Sequence, residues 1–158
     1  MRTAVLILLV CTATVALAQS SDLELLRQDL KAKKVALLTE ALALDEKQSD
    51  VFWPLYREYD LALSKLTDRR VAAIKKYAEN YNTLTGKMAD ELVKESFSVQ
   101  SGRLDLMKKY HKKFSKAVDP LVAARWAQAE SRILGLVDIQ IASEIPLVKP
   151  GTQKQEPK

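Results

Sequence analysis

The sequence predicts an all-α, four-helix chain, and three observations carry that class. Only four Gly and five Pro occur in 158 residues, so structure breakers are few. Ala, Leu, Lys, Glu and Gln, all good helix formers, dominate instead. No stretch alternates apolar and polar residues for long enough to argue a strand, whereas apolar residues recur at three- and four-residue spacing.

The chain opens on a segment that stands apart from the helices. Met1-Arg2-Thr3 is a short positive start, Ala4 to Val15 is an apolar run too short for a membrane span, and Ala16-Leu17-Ala18 is a small-x-small site before Gln19. This is the form of a cleavable secretory signal. A lipoprotein signal also places a cysteine after an apolar run. Cys11, however, follows the bulky Val10 where that signal wants a small residue, and apolar residues continue past it to Ala18. The reading is soluble export, with Cys11, the only cysteine, removed along with the leader. The body that remains, about 140 residues, is one domain by length.

Ser20-Ser21-Asp22 offers an N-cap for a first helix reaching Leu42, with Leu23, Leu26, Leu30, Leu37 and Leu38 near one stripe that Lys34 interrupts. Leu44-Asp45-Glu46-Lys47-Gln48 then reads as a reciprocal capping box. The Asp45 side chain accepts from the Gln48 amide while the Gln48 side chain reaches back to the Asp45 amide. A second helix follows from Glu46 to Tyr81, its seam made by Phe52, Leu55, Tyr59, Leu63, Leu66, Ala73 and Tyr77. Pro54 inside it removes the bond to the carbonyl of Asp50 and predicts a bend over residues 50–54.

Asn80, Asn82, Thr83, Thr85 and Gly86 form the clearest interior loop signal. The third helix, Lys87 to Ala117, carries Leu92, Val99, Leu106, Tyr110 and Phe114, with Gly102 as a weak point in its middle. Asp119-Pro120 is an N-cap followed by proline at the first helical position, a strong restart. The fourth helix runs from there to Ser143 through Val122, Trp126, Ala129, Ile133, Leu136 and Gln140. Pro146, Pro150, Gly151 and Pro157 among Lys and Gln predict a disordered tail. The expected organisation is a signal peptide at 1–18, a single helical domain at 19–145 and the tail at 146–158.

Composition argues against several function classes. The chain holds 25 Lys and Arg, one of them Arg2 of the leader, against 20 Asp and Glu. That mild basic excess is too weak to argue nucleic acid, and suits an acidic polypeptide or an anionic surface better. His111 is the only histidine. It lies among Lys108, Lys109, Lys112 and Lys113, whose field opposes a cation, and a zinc site needs three or four ligands. Covalent haem attachment needs cysteines; a Met/His pair such as Met88 or Met107 with His111 is conceivable, but Met107 and His111 are one turn apart and cannot face each other across a haem. No nucleophile elbow and no Cys–His pair is present. The expectation is no enzyme, no metal and no cofactor.

Two features could carry binding. Lys108, Lys109, Lys112, Lys113 and Lys116 form a basic band on the third helix. Repulsion between its i,i+4 lysines costs a few tenths of a kcal/mol per pair. It reads either as an ordinary solvated face or as a surface that attracts acidic polypeptides or lipid headgroups. Phe52, Trp53, Tyr56 and Tyr59 cluster around Pro54. Phe52 and Tyr59 fit the core stripe, while Trp53 and Tyr56 widen the apolar face, either for core or dimer contact or as an exposed client contact.

With the leader, the four helices and Leu44-Asp45-Glu46-Lys47-Gln48 in place, the chain resembles the Spy/CpxP family of periplasmic helical proteins. Their hallmark is a Leu-Thr-x-x-Gln motif opening a long helix. Here Asp45 stands for the threonine and keeps the capping role. Val51-Phe52-Trp53-Pro54-Leu55-Tyr56 and Ala124-Arg125-Trp126-Ala127-Gln128-Ala129-Glu130 also resemble helices of this group. The place of a second motif is Val118-Asp119-Pro120-Leu121-Val122, where the cap survives and the glutamine does not. The family residues here are therefore Leu44, Asp45, Gln48, Asp119 and Pro120.

The resemblance implies a bent antiparallel helical hairpin with two long helices, dimeric, with a concave basic and apolar face. It implies a periplasmic location and the role of an ATP-independent chaperone or envelope-stress protein. Metal-sensing relatives rely on histidine-rich segments that this chain lacks, which leaves the chaperone branch ahead. The candidate client-binding residues are Trp53, Tyr56, Lys108, Lys109, Lys112, Lys113 and Lys116. Expected partners are unfolded or acidic polypeptides and a second copy of the chain, with no nucleic acid and no integral membrane segment after leader cleavage. The rival reading is an adaptor that docks on the periplasmic domain of a membrane sensor.

Overall fold

The computed structural model describes residues 31–150, which are helical with no strand among them. The expected leader, the first turns of the first expected helix and residues 151–158 lie outside the described residues. Residues 31–42 form helix α1. It is followed by α2 (Glu46–Asn80), α3 (Gly86–Ala117) and α4 (Pro120–Glu144). Among the described residues no helix is long and apolar enough to cross a membrane.

The helix limits follow from local chemistry. At the start of α2 the Gln48 amide donates to Asp45 Oδ1 at 2.8 Å and the Asp45 amide donates to Gln48 Oε1 at 3.2 Å. The expected capping box is therefore formed in full. Asp45→Ala removes one half of it and is expected to lower stability by about 0.5–2 kcal/mol. An unchanged melting temperature would contradict the role given to this aspartate. Thr85 caps α3, accepting from the Met88 amide at 3.3 Å. Asp119 caps α4, accepting from the amides of Leu121 and Val122 at 2.7 and 3.1 Å, with Pro120 in the first turn.

In α1, Leu38 and Leu42 are buried, whereas Val35 and Leu37 are exposed. The helix stops at Ala43, whose amide still donates to the Thr39 carbonyl and whose φ is 45°. Glycine is the usual residue in that left-handed position, and an alanine there costs about 1 kcal/mol. Pro54 sits well inside α2, yet the helix continues from Glu46 to Asn80.

The register of α2, α3 and α4 is fixed by cross-helix pairs. Phe52 stacks on Phe114, Tyr59 meets Tyr110, and Arg69 pairs with Glu95. Residue numbers rising on α2 thus meet numbers falling on α3, which makes the two antiparallel. Phe114–Trp126 and Arg103–Asp138 relate α3 and α4 in the same way. Tyr59–Trp126, Arg70–Asp138 and Tyr77–Pro146 follow a nearly constant offset, so α4 runs parallel to α2. No Cα of α2 lies within 8 Å of one on α4. These two helices flank α3 and reach one another only through long side chains.

Those side chains are aromatic near the start of α2. Trp126, fully buried, stands edge-on to Tyr59 at 5.0 Å and to Phe114 at 4.7 Å between ring centroids. Phe52, Tyr56, Tyr110 and Val122 are buried with them. Aromatic pairs in these geometries add about 0.5–1.5 kcal/mol beyond their burial. Farther along α2, Gly102 of α3 comes under Leu66, and a Cβ at Gly102 would stand 3.0 Å from Leu66 Cδ2. The expected weak point is thus a position of close helix approach.

The expected stripe of α4 needs correction in its second half. Leu136, read as inward, is 69% exposed. The inward residues instead run through Val122, Trp126, Glu130, Leu134, Asp138, Ile141 and Ile145. Two acids lie on that line. A periodicity that counts only apolar residues therefore slides onto Leu136.

Candidate functional site

The residues expected to bind clients fall in different environments. Tyr56 is 3% exposed and stacks on Phe52 at 5.9 Å, so it belongs to the core and leaves the candidate client-contact set. Its large, flat ring fits where the seam widens toward Phe52 and Tyr59, which is the core reading of this cluster. Trp53 is half-buried at the edge of the same cluster, edge-on to Phe52 and Tyr56.

The lysines of α3 stay at the surface. Lys108, Lys109, Lys112 and Lys116 are exposed. Lys108 has Asp105 at 3.7 Å one turn before it. Lys113 reaches across to Glu58 at 2.9 Å, with its ammonium 4.6 Å from the Tyr110 ring. Its hydrogen bond holds the Glu58 carboxyl below the usual range and raises the Lys113 ammonium. Among the described residues no carboxylate pairs with Lys109, Lys112 or Lys116.

The other half of that face is apolar. Val93, Phe97 and Leu104 are 48%, 64% and 52% exposed. At about 100° per residue, Val93, Phe97, Leu104 and Lys108 fall within about 60° of one another around α3. The apolar strip therefore meets the lysine band at Lys108, with Lys112, Lys116 and Lys109 about 100°, 140° and 160° round the helix from Val93. The aromatic cluster at Pro54 lies on α2, whereas Val93, Phe97 and Leu104 are exposed on α3. Val93 and Phe97 at i,i+4 were the available sequence signal.

Two polar groups inside the helices were not anticipated. Glu130, fully buried, accepts from the Tyr59 hydroxyl at 2.8 Å. Burial, together with the negative Glu130 beside them, pushes the phenols of Tyr56 and Tyr59 far above their ordinary value. Ionising either ring in alkali is therefore coupled to loss of the fold.

The second group lies beyond the aromatic cluster, where small side chains replace large ones. Ala73 on α2 and Gly135 and Ala142 on α4 leave a cleft of about 670 Å³ lined by all three helices. Ile74, Leu92, Val99, Met107, Leu134 and Ile141 supply apolar wall, and the charged lining is Arg70, Arg103 and Asp138. Arg103 grips Asp138 with two hydrogen bonds of 3.0 and 3.1 Å, and Arg70 donates to the same Oδ1. One end of the cleft is bounded by Tyr77, whose hydroxyl donates to the Pro146 carbonyl at 2.9 Å. Tyr81 Oη to the Leu147 carbonyl and Lys149 Nζ to Asn82 Oδ1 hold the following residues against the end of α2.

Burial alone would push the Asp138 carboxyl up, but the hydrogen bonds and charges of Arg103 and Arg70 more than reverse this and hold it below the usual range. The folded chain therefore favours the carboxylate. Its contribution is complete above the unfolded value of about 3.9 and is lost as pH falls through the lower folded value. Asp138 is 41% exposed, so screening limits the effect to about 1 kcal/mol. The stability gap between the wild type and Asp138→Asn should be larger near pH 7 than near pH 2.5. A gap flat across that range contradicts the pairing.

Comparison with family models, curated proteins and solved structures finds no match for this chain.

Proposed function

We propose that this protein is an exported, periplasmic holdase or envelope-stress protein of the Spy/CpxP type, acting without ATP as a homodimer. The observation that carries the reading is the exposed surface of α3, where an apolar strip of Val93, Phe97 and Leu104 reaches Lys108 and the exposed Lys109, Lys112 and Lys116 carry the charge farther round the helix. An unfolded chain offers both apolar side chains and, when acidic, a field that lysines attract. Apolar contact supplies retention while the lysines speed encounter. In the homodimer the exposed Leu136 and Ile139 of α4 are the candidate contact for the second copy.

The test is light scattering from a denatured acidic client diluted with and without the purified protein. Suppression at stoichiometric amounts, weaker at higher salt, is expected. No suppression at low or moderate salt contradicts the reading. An adaptor for a membrane sensor would instead bind one saturable partner found by crosslinking and ignore generic unfolded chains.

A further inference from the structure

The geometry points to a second binding activity: the cleft between α2, α3 and α4 takes a single-chain anionic amphiphile, a medium-chain carboxylate being the simplest. The inference stands apart from the chaperone reading, because it rests on the interior side of the helices and on a different chemistry.

Size comes first. A volume of about 670 Å³ lies within the roughly 300–1,000 Å³ of small-molecule sites. The space exists because the residues facing it are small. A Cβ added at Gly135 would meet nothing within 4 Å.

Charge decides which end of a ligand goes where. Two guanidinium groups and one carboxylate leave one positive charge in excess among the lining residues. Each guanidinium has five N–H donors. Arg70 gives one of them to Asp138 and Arg103 gives two, and no other acceptor among the described residues takes the rest. A carboxylate head has the oxygen pair that such a fork accepts, and one negative charge that balances the excess.

The tail follows from what lies between Asp138 and Ile145. That stretch of α4 spans about 10 Å, faced by Ile74 and Leu92 and bounded at its far end by Tyr77. It suits an extended chain of eight or nine carbons; the polar side chains beside it, Ser96 and Gln100 of α3, are hydrogen-bonded to one another.

The experiment is calorimetric titration of the purified protein with decanoate, 1-decanol and decyltrimethylammonium. Saturable decanoate binding, at least 10-fold tighter than the alcohol and with no binding of the cation, is expected. Gly135→Phe fills the open space and should weaken decanoate at least 10-fold with the melting temperature held. Arg70→Gln should weaken decanoate and leave the alcohol unchanged, since Arg103 keeps its two bonds to Asp138. The inference is overturned by absence of saturable decanoate heat, by equal affinity for the cation, or by decanoate affinity indifferent to Gly135→Phe. It is also overturned if Gly135→Phe turns a dimer into a monomer while decanoate binding persists, for then the cleft seats a second copy. None of these outcomes depends on whether unfolded clients bind α3.

Discussion

Replacing Trp126 by alanine is expected to cost about 3–5 kcal/mol of stability. The indole is fully buried and touches both α2 and α3, edge-on to Tyr59 and Phe114. Because no Cα of α2 lies within 8 Å of one on α4, this ring is much of what ties them together at that end. Its removal leaves a cavity that rigid neighbours cannot close. Among the described residues, the indole Nε1 is buried with no hydrogen-bond partner. Trp126→Phe, which keeps an aromatic face and discards that unsatisfied donor, should therefore cost distinctly less. Urea denaturation measures both. The alanine variant should shift the midpoint strongly with little change in slope. Equal losses for alanine and phenylalanine would contradict the account of the indole as a space-filling bridge.

The second large effect is expected at Tyr59. Tyr59→Phe preserves the ring that packs against Trp126 and Tyr110 but deletes the hydroxyl that donates to Glu130 at 2.8 Å. A buried carboxylate that loses a donor costs about 1–3 kcal/mol. The two residues act as a unit, so the same substitution made in a Glu130→Gln background should cost less than in the wild type, a coupling that a double-mutant cycle reads directly. A midpoint unchanged by Tyr59→Phe, or costs that simply add, would remove this hydrogen bond from the forces that position α4.

How much of this was legible in the sequence depended on the scale of the signal. Helix limits were, because they are written in local chemistry. Asp45 with Gln48, the Asn80–Gly86 loop and Asp119 with Pro120 each act within four residues. The seams of α2 and α3 were legible for a similar reason, since Phe52, Tyr59, Leu63, Val99, Tyr110 and Phe114 repeat at helical spacing and are all buried. The second half of α4 was not. Its inward line passes through Glu130 and Asp138, each neutralised or held by groups on other helices, so apolar periodicity misplaced Leu136. The cleft was illegible from any one helix. It needs Ala73 opposite Gly135 and Ala142, an alignment set by the parallel register of α2 and α4.

The same distinction explains the candidate site. The lysine band was visible as a run of like charge, and it does lie at the surface. The aromatic surplus at Trp53 and Tyr56 is conspicuous in sequence, but a large ring serves a core seam as readily as a surface. Tyr56 is core, and Val93, Phe97 and Leu104 are the exposed apolar residues on the same helix as the lysines.

The most direct measurement is site-specific photocrosslinking to an unfolded acidic client, with the reactive group placed in turn at Phe97, at Leu104 and at Gln128, an exposed position on α4. The account predicts client adducts from positions 97 and 104 that fade when Lys108, Lys109, Lys112 and Lys116 are changed to glutamine, with few from position 128. Adducts spread evenly over all three positions, or absent from 97 and 104, would contradict the assignment of α3 as the surface that holds unfolded chains.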